Sequence, residues 1–292
     1  MDIYQTSNDS TRFNFIDHHH PAIIKHLTQK AIEQIATHHV AMVLGAGNCN
    51  DIPLDLLLET FDTIVLVDID EKALDFVCNT KIDSHSASKI MKIVTDLTGI
   101  HNAIKQLMLP ITDEQIGNVL NQIAQSFPPS SPLVEWFGQC DLVLSIGVVS
   151  QLIFPLLDAY YQAGIINNLH AFSPVMDAVS QQHYNQIQGL CAPDGAVLLA
   201  LDLYTSKSIK KDPITFGKYC VLLGRLNDMT SEEVLSQLDK DWAYCRMQHA
   251  QFMRTFIDLH EHGSHWIWPW IFTLEEIYLM MGWILRFESR SP

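Results

Sequence analysis

The sequence predicts an α/β fold, a doubly wound and mostly parallel sheet with helices on both faces. Three observations carry that expectation. Short continuous apolar segments recur along the first two thirds of the chain, stretches with helical spacing lie between them, and turn-forming or acidic residues close each apolar run. Strands buried on both faces read as unbroken apolar runs, and crossover helices are what join parallel neighbours.

The elements follow in order. Pro21 suits the first turn of a helix, and Ile24, Leu27, Ala31, Ile32 and Ile35 recur at helical spacing, predicting a helix over about 21–38. Val40–Leu44 is a first strand, ending at Gly45; Asp51–Thr60 is a helix; Thr63–Val67 is a second strand, ending at Asp68. Glu71–Asn79 is helical and Ile90–Val94 is a third strand, closing before Asp96. Asp113–Gln125 is a helix before the proline-rich loop Phe127–Pro132, and Asp141–Ser145 is a fourth strand. Helices over Gln151–Ala163 and about Met176–Cys191 lead to the turn Ala192-Pro193-Asp194-Gly195 and a fifth strand, Gly195–Leu201. Ser231–Gln251 breaks the alternation as a helical stretch, and Ile277–Phe287 is a last apolar strand. The expected organisation is therefore an N-terminal helical segment (1–37), a ligand-binding core (38–204), a helical insertion or cap (205–262) and a C-terminal aromatic strand region (263–292) that completes the sheet.

Composition narrows the function classes. The 292 residues are 48% hydrophobic and 17% charged, a globular mixture. Eighteen basic against 33 acidic side chains leave a net charge of −15, an acidic protein. Phosphate backbones are held by Lys and Arg, so this balance argues against a nucleic-acid partner. The nearest basic grouping is Lys207, Lys210 and Lys211. Six scattered cysteines without a CxxC pair fit a reduced, buried set. Residues 1–17 are polar with no apolar signal core, and the longest uncharged run, Leu142–Leu157, is short of the ~20 residues a spanning helix needs. A cytoplasmic protein without a membrane partner is the expectation.

The chemistry concentrates at three strand ends. Val40-Ala41-Met42-Val43-Leu44-Gly45-Ala46-Gly47-Asn48-Cys49-Asn50-Asp51 reads as strand, glycine turn and helix start. Open parallel sheets bind ligands at the carboxyl ends of their strands, and glycines there admit a close approach. Asp68 ends the next strand, where a carboxylate can accept both hydroxyls of a ribose. Asp96 follows the third, where a carboxylate can accept an adenine amino hydrogen. Turn glycines, Asp and Asp in strand order describe one adenosine-shaped site. Singly each has a bland alternative: a tight turn, or helix capping by Asp68 and Asp70.

A dinucleotide fingerprint wants a third glycine where Asn50 stands. The stretch instead resembles class I S-adenosylmethionine-dependent methyltransferases, which are Rossmann-like. The likeness covers about residues 38–204. It is carried by Gly45-Ala46-Gly47, Val65-Leu66-Val67-Asp68-Ile69-Asp70, Thr95-Asp96-Leu97, Cys140-Asp141-Leu142-Val143-Leu144-Ser145 and Cys191-Ala192-Pro193-Asp194-Gly195-Ala196-Val197-Leu198-Leu199. The resemblance implies S-adenosyl-L-methionine as cofactor and S-adenosyl-L-homocysteine as product. It sets Gly45, Ala46 and Gly47 against the methionine part, Asp68 on the ribose, Asp96 and Leu97 on the adenine, and Ser145 and Ile146 beside the methionine chain. Asn50, Asp51 and Ile69 complete the expected cofactor contacts. The sequence departs from the family at Val43, usually acidic, and at Cys49, usually a third glycine. Asp51 is the candidate to recognise the amino group in place of Val43.

Methyl transfer needs alignment of acceptor and methyl, and a base where the acceptor is protonated. Candidate bases are Asp202 and Tyr204, which follow the fifth strand, together with His183 and His170. The Pro-Pro-Tyr signature of base-modifying amino methylases is absent from Ser145-Ile146-Gly147-Val148-Val149-Ser150, which favours a small-molecule acceptor, or less so a protein. No metal is expected. His18, His19 and His20 are consecutive and so share no helix face, and His260, Glu261, His262 and His265 lack the i, i+4 histidine pair of a metal-binding helix and read as a solvated loop. Trp266-Ile267-Trp268-Pro269-Trp270 is either an acceptor pocket or core packing at the sheet edge, and Met280-Met281 is core filler. Two rivals stand beside the methyltransferase: an NAD-dependent oxidoreductase, and a non-catalytic binding protein on the same scaffold.

Overall fold

The computed structural model describes residues 19–99, 113–125, 131–152, 173–207, 233, 246–247, 265–273 and 276–287. The described helices are α1 (His19–Ile32), α2 (Leu54–Thr60), α3 (Glu71–Thr80), α4 (Asp113–Gln125), α5 (Val148–Leu152) and α6 (Ser173–Leu190). The strands are β1 (Val40–Leu44), β2 (Thr63–Asp68), β3 (Ile90–Val94), β4 (Cys140–Ile146), β5 (Cys191–Lys207), β6 (Arg246–Met247), β7 (His265–Thr273) and β8 (Glu276–Leu285). They form one sheet in the order β3-β2-β1-β4-β5-β8-β7, with β6 also on β5. β3 through β5 are parallel neighbours, whereas β8 runs antiparallel between β5 and β7. The α/β expectation therefore holds, with an antiparallel hairpin completing one edge.

The middle strands are buried because both faces are covered. Every residue of β4 is buried, as are the last four of β1 and the last five of β2. On one face Ile24, Leu27 and Ala31 of α1 and Leu57 of α2 pack onto Val43, Leu144, Leu198 and Trp268. The period-2 strand rule places Trp266, Trp268 and Trp270 on that same face of β7. Gly282 of β8 makes room for them: a Cβ there would lie 2.9 Å from the Trp268 ring and 3.5 Å from Leu27. Core packing is thus the outcome for Trp268, which is 1% exposed.

Several boundaries differ from expectation for physical reasons. The first helix ends at Ile32, not near 38, as Gln34 and Ile35 tighten into backbone bonds to Ala31 and Ile32. Asp51 and Ile52 precede α2, because Pro53 caps it. The turn before the fifth strand is a bulge inside β5: Cys191 pairs with Cys140 and Ala196 with Leu142, so the residues between them loop out. Gly195 sits there because a Cβ would come 2.8 Å from the Asp141 carbonyl oxygen.

β5 also outruns β4, whose pairing stops at Ala200. β6 occupies the flank beyond, pairing Met247 with Tyr204 and Arg246 with Thr205. Those two residues are strand, contrary to the helix expected over Ser231–Gln251, because the exposed ladder of β5 offers their backbone a partner. The rest of that helix, apart from the exposed Glu233, and the Gln151–Ala163 helix beyond Leu152 lie outside the described residues.

At the amino edge of the sheet Asp141 ties β4 to the segment that leads into β1. Its carboxylate accepts from the Thr37 hydroxyl and from the backbone N–H groups of His39 (2.7 Å) and Val40 (2.9 Å). Partial burial pushes this acid up, but the three donors outweigh it and hold the carboxyl below its ordinary range. Among the described residues no helix is long and apolar enough to cross a membrane.

Candidate functional site at the carboxyl edge of the sheet

Strand order reverses between β1 and β4, and both strands end there in a left-handed glycine. Gly45 and Gly147 each have φ +63°, a conformation that disfavours any side chain. Gly45 is exposed, and a Cβ on it would lie 2.7 Å from Val148 at the start of α5. The two turns are therefore in contact, with the Val148 side chain against Gly45 and the Trp270 ring 3.5 Å from where a Cβ on Gly147 would lie. Crevices at such switch points are where open α/β sheets take ligands.

The turn after β1 is held from both sides. Ala46 N–H bonds the Val67 carbonyl at 2.9 Å, and Gly47 N–H donates to Asp68 Oδ2 at 2.7 Å. Asp68 Oδ1 accepts from Asp70 N–H at 2.8 Å. Asp70, not Asp68, caps α3, accepting from Lys72 and Ala73 N–H. Burial pushes the Asp68 carboxyl up, and the Asp70 and Gly47 N–H groups pull it back. Lys81, from the end of α3, donates to the Cys49 carbonyl and to Asn50 Oδ1, closing the turn's far side. Cys49 is the described non-glycine residue with positive φ (49°), and burial raises its thiol far above the usual range. It is a structural thiol, not a nucleophile.

The other expected cofactor residues fall along the same edge. Ile69 follows Asp68 half-buried, and Leu97 is buried after β3. Asp96 folds back on Thr98, accepting its N–H at 2.9 Å and its hydroxyl at 2.6 Å. Ile146 is 8% exposed at the end of β4. Ser145 points to the opposite face, where its hydroxyl meets His183 Nε2 at 2.8 Å.

His183 is 2% exposed on α6, and burial pushes its imidazole down to about 4, so the ring is neutral at pH 7. Its neighbour Gln186 donates to Ser131 at 2.6 Å, extending a polar seam under the sheet. Asp202 lies in β5 just past the end of β4, paired with Met280 and, through it, with Trp268. It is 3% exposed; burial pushes its carboxyl up to about 7, against a hydrogen bond from Ser150. Tyr204 is placed by its backbone pairs to Leu279 and Met247, and His170 lies outside the described residues.

His20 was not among the expected site residues. It is fully buried, with Nε2 3.3 Å from Asp51 Oδ2 and Nδ1 accepting from Trp268 Nε1 at 2.8 Å. It also stacks on Trp270, centroids 4.6 Å apart at 17°. Its signal was present in the helix periodicity: His20, Ile24, Leu27 and Ala31 form one stripe, all buried.

No known protein family and no curated protein matches this chain. Solved structures resemble it remotely. The N-methyltransferase NodS from Bradyrhizobium japonicum, in complex with S-adenosyl-L-homocysteine, is 10% identical at TM-score 0.41, over 97% of this chain and 98% of that one. An S-adenosyl-L-methionine-dependent methyltransferase from Leishmania major is 12% identical at 0.43, over 97% and 82%. A protein from Methanococcus maripaludis described in the same terms is 10% identical at 0.41, over 99% and 93%. Likenesses this remote decide nothing about chemistry, which rests on the chain's own residues.

Proposed function

We propose that the chain is a class I S-adenosylmethionine-dependent methyltransferase acting on a small-molecule acceptor. One observation carries this: three adjacent strands end, in order, in a glycine turn, Asp68 and Asp96, beside the reversal of strand order. A dinucleotide needs two mononucleotide-binding halves. Here β3-β2-β1 is one half, but beyond β5 the sheet turns into the antiparallel β8–β7 hairpin, so the described strands form no second half. That favours an adenosine-sized cofactor over NAD.

The residues fit such a group. Exposed backbone at Gly45 gives it room, and carboxylates at two strand ends give its hydroxyls and amine acceptors. Asp68 would take the ribose while keeping its hold on the turn, since each carboxylate oxygen has a second lone pair. Asp96 and Leu97 would take the adenine, Ile69 would border it, and Gly45, Ala46, Gly47 and Asn50 would border the amino-acid part. Ile146 would flank that part directly, and Ser145, bonded to His183, would support β4 from behind. When bound, S-adenosylmethionine supplies a methyl on a sulfonium, a carbon that an aligned nucleophile displaces.

Asp202 is the proposed general base. A carboxyl pushed up to about 7 is poised to take a proton near neutral pH, where an ordinary aspartate is too weak a base. Tyr204, next along β5, is the second candidate for the acceptor side. His183, neutral and bonded to Ser145, serves better as a support than as a base. Residues 38–204 would then hold the cofactor, and 205–262 would cap the acceptor.

Calorimetric titration with S-adenosyl-L-homocysteine, with NADH as control, tests the proposal. Micromolar binding of the former alone is expected. Binding of NADH alone would make the chain an oxidoreductase, and binding of neither would leave the scaffold alternative.

A further inference from the structure

The contacts around His20 form a directed chain. An indole N–H can only donate, so His20 Nδ1, 2.8 Å from Trp268 Nε1, must be the accepting nitrogen. The neutral ring therefore carries its proton on Nε2, which faces Asp51 Oδ2 at 3.3 Å. A flipped ring would set a C–H against the indole N–H, and the stack on Trp270 restrains the ring's tilt. Trp268, fully packed in β7, thus fixes His20, and His20 fixes one oxygen of Asp51.

The consequence lies at Asp51. The other carboxylates at this edge are held by backbone or neighbouring groups: Asp68 by two N–H groups, Asp70 by two at the start of α3, Asp96 by Thr98. Asp51 meets a buried imidazole at one oxygen and has the Lys81 ammonium as a nearby charge, which is itself engaged by the Cys49 carbonyl and Asn50, and its side chain remains 22% exposed beside the glycine turn. An acid oriented by a rigid donor and part-exposed beside the turn is suited to receive a ligand's cationic group.

We propose that Asp51, aimed by His20 and Trp268, receives the cationic amino group of the ligand bound at the glycine turn, with His20 as its positioning residue. This rests on the cofactor reading above, because the amino group belongs to the amino-acid part of S-adenosyl-L-homocysteine. Val43, fully buried in the core, offers no charge for that task.

The test compares the affinities of S-adenosyl-L-homocysteine and of its analogue lacking the α-amino group, by calorimetry on the full chain. The wild type is expected to favour the former at least tenfold, and Asp51→Asn to bring the ratio close to one. His20→Asn keeps an acceptor near Nδ1 but reaches no donor to Asp51, so it should also lose the ratio. His20→Gln places an amide near Nε2 and should retain most of it. Loss of stability lowers both affinities together and leaves their ratio intact, so the ratio separates positioning from folding. Asp51→Asn, at a part-exposed position, keeps the test readable where His20→Asn does not fold. A wild type that binds neither ligand overturns the cofactor reading. A wild type that binds both equally, or a His20→Asn protein that keeps the ratio, overturns the role of this chain of contacts while the cofactor stands.

Discussion

The two edges of the sheet treat an aspartate in opposite ways. At the amino edge Asp141 is met by three donors and held below its ordinary range. At the carboxyl edge Asp202, paired in register with Met280, is buried with Ser150 as its side-chain donor, and is pushed up to about 7. The same side chain is a structural clamp where donors are plentiful and a raised carboxyl where burial is deep and donors are scarce. Depth of burial and the number of hydrogen bonds reaching a carboxyl together set its state: Asp141 is the less deeply buried of the two and has the more donors.

The comparison can be broken at either edge. Asp202→Asn should cut turnover ~10²–10⁴-fold, the usual contribution of a positioned general base, while leaving the cofactor bound. It should also raise stability at pH 8, since an acid raised on folding loses stability as pH climbs through its folded value. Steady-state rates with an acceptor and urea melts read the two effects, and unchanged turnover would remove Asp202 from the chemistry. Asp68→Ala should weaken S-adenosyl-L-homocysteine binding at least tenfold, ~1.4 kcal/mol, by losing a ribose acceptor and loosening the turn. Calorimetry that found equal affinity would remove the cofactor site from this edge.

Asp141→Asn should cost ~1.5–3 kcal/mol in urea melts, because an amide NH₂ would face backbone donors that need an acceptor. Ligand affinity should not change, which is what separates this edge from the other. The smallest effect sharpens the comparison by pH. Asp141's folded value lies below its unfolded one, so its contribution is complete above the unfolded value (~4) and fades as pH falls through the folded one. The wild type should therefore lose stability over that acid range, and Asp141→Asn should show a shallower loss.

How much of this was legible depends on how local the cause is. β1, β3 and α4 matched their expected limits because each is a pattern of neighbouring apolar residues. The glycine turn, Asp68 and Asp96 were legible because strand ends announce themselves in sequence. The Asp141 clamp was not: an aspartate opening an apolar strand carries no sign that Thr37, His39 and Val40 will converge on it. Nor was β6, whose pairing depends on how far β5 outruns β4. His20 was half legible, its burial from the helix stripe but its partners not, since Trp268 stands 248 positions away.

The place of β8 has a consequence for how the protein is made. It is the last of the described strands to be synthesised, yet it lies inside the sheet, with β7 outside it. Until it arrives, β5 shows the ribosome's surroundings a bare apolar edge, Val197 to Leu201, the kind of edge that recruits other chains. His20, among the first of these residues to emerge, must wait 248 positions before its tryptophan appears. Closure of this side of the sheet therefore waits on a strand far along the chain, a non-local pairing of the kind that folds slowly.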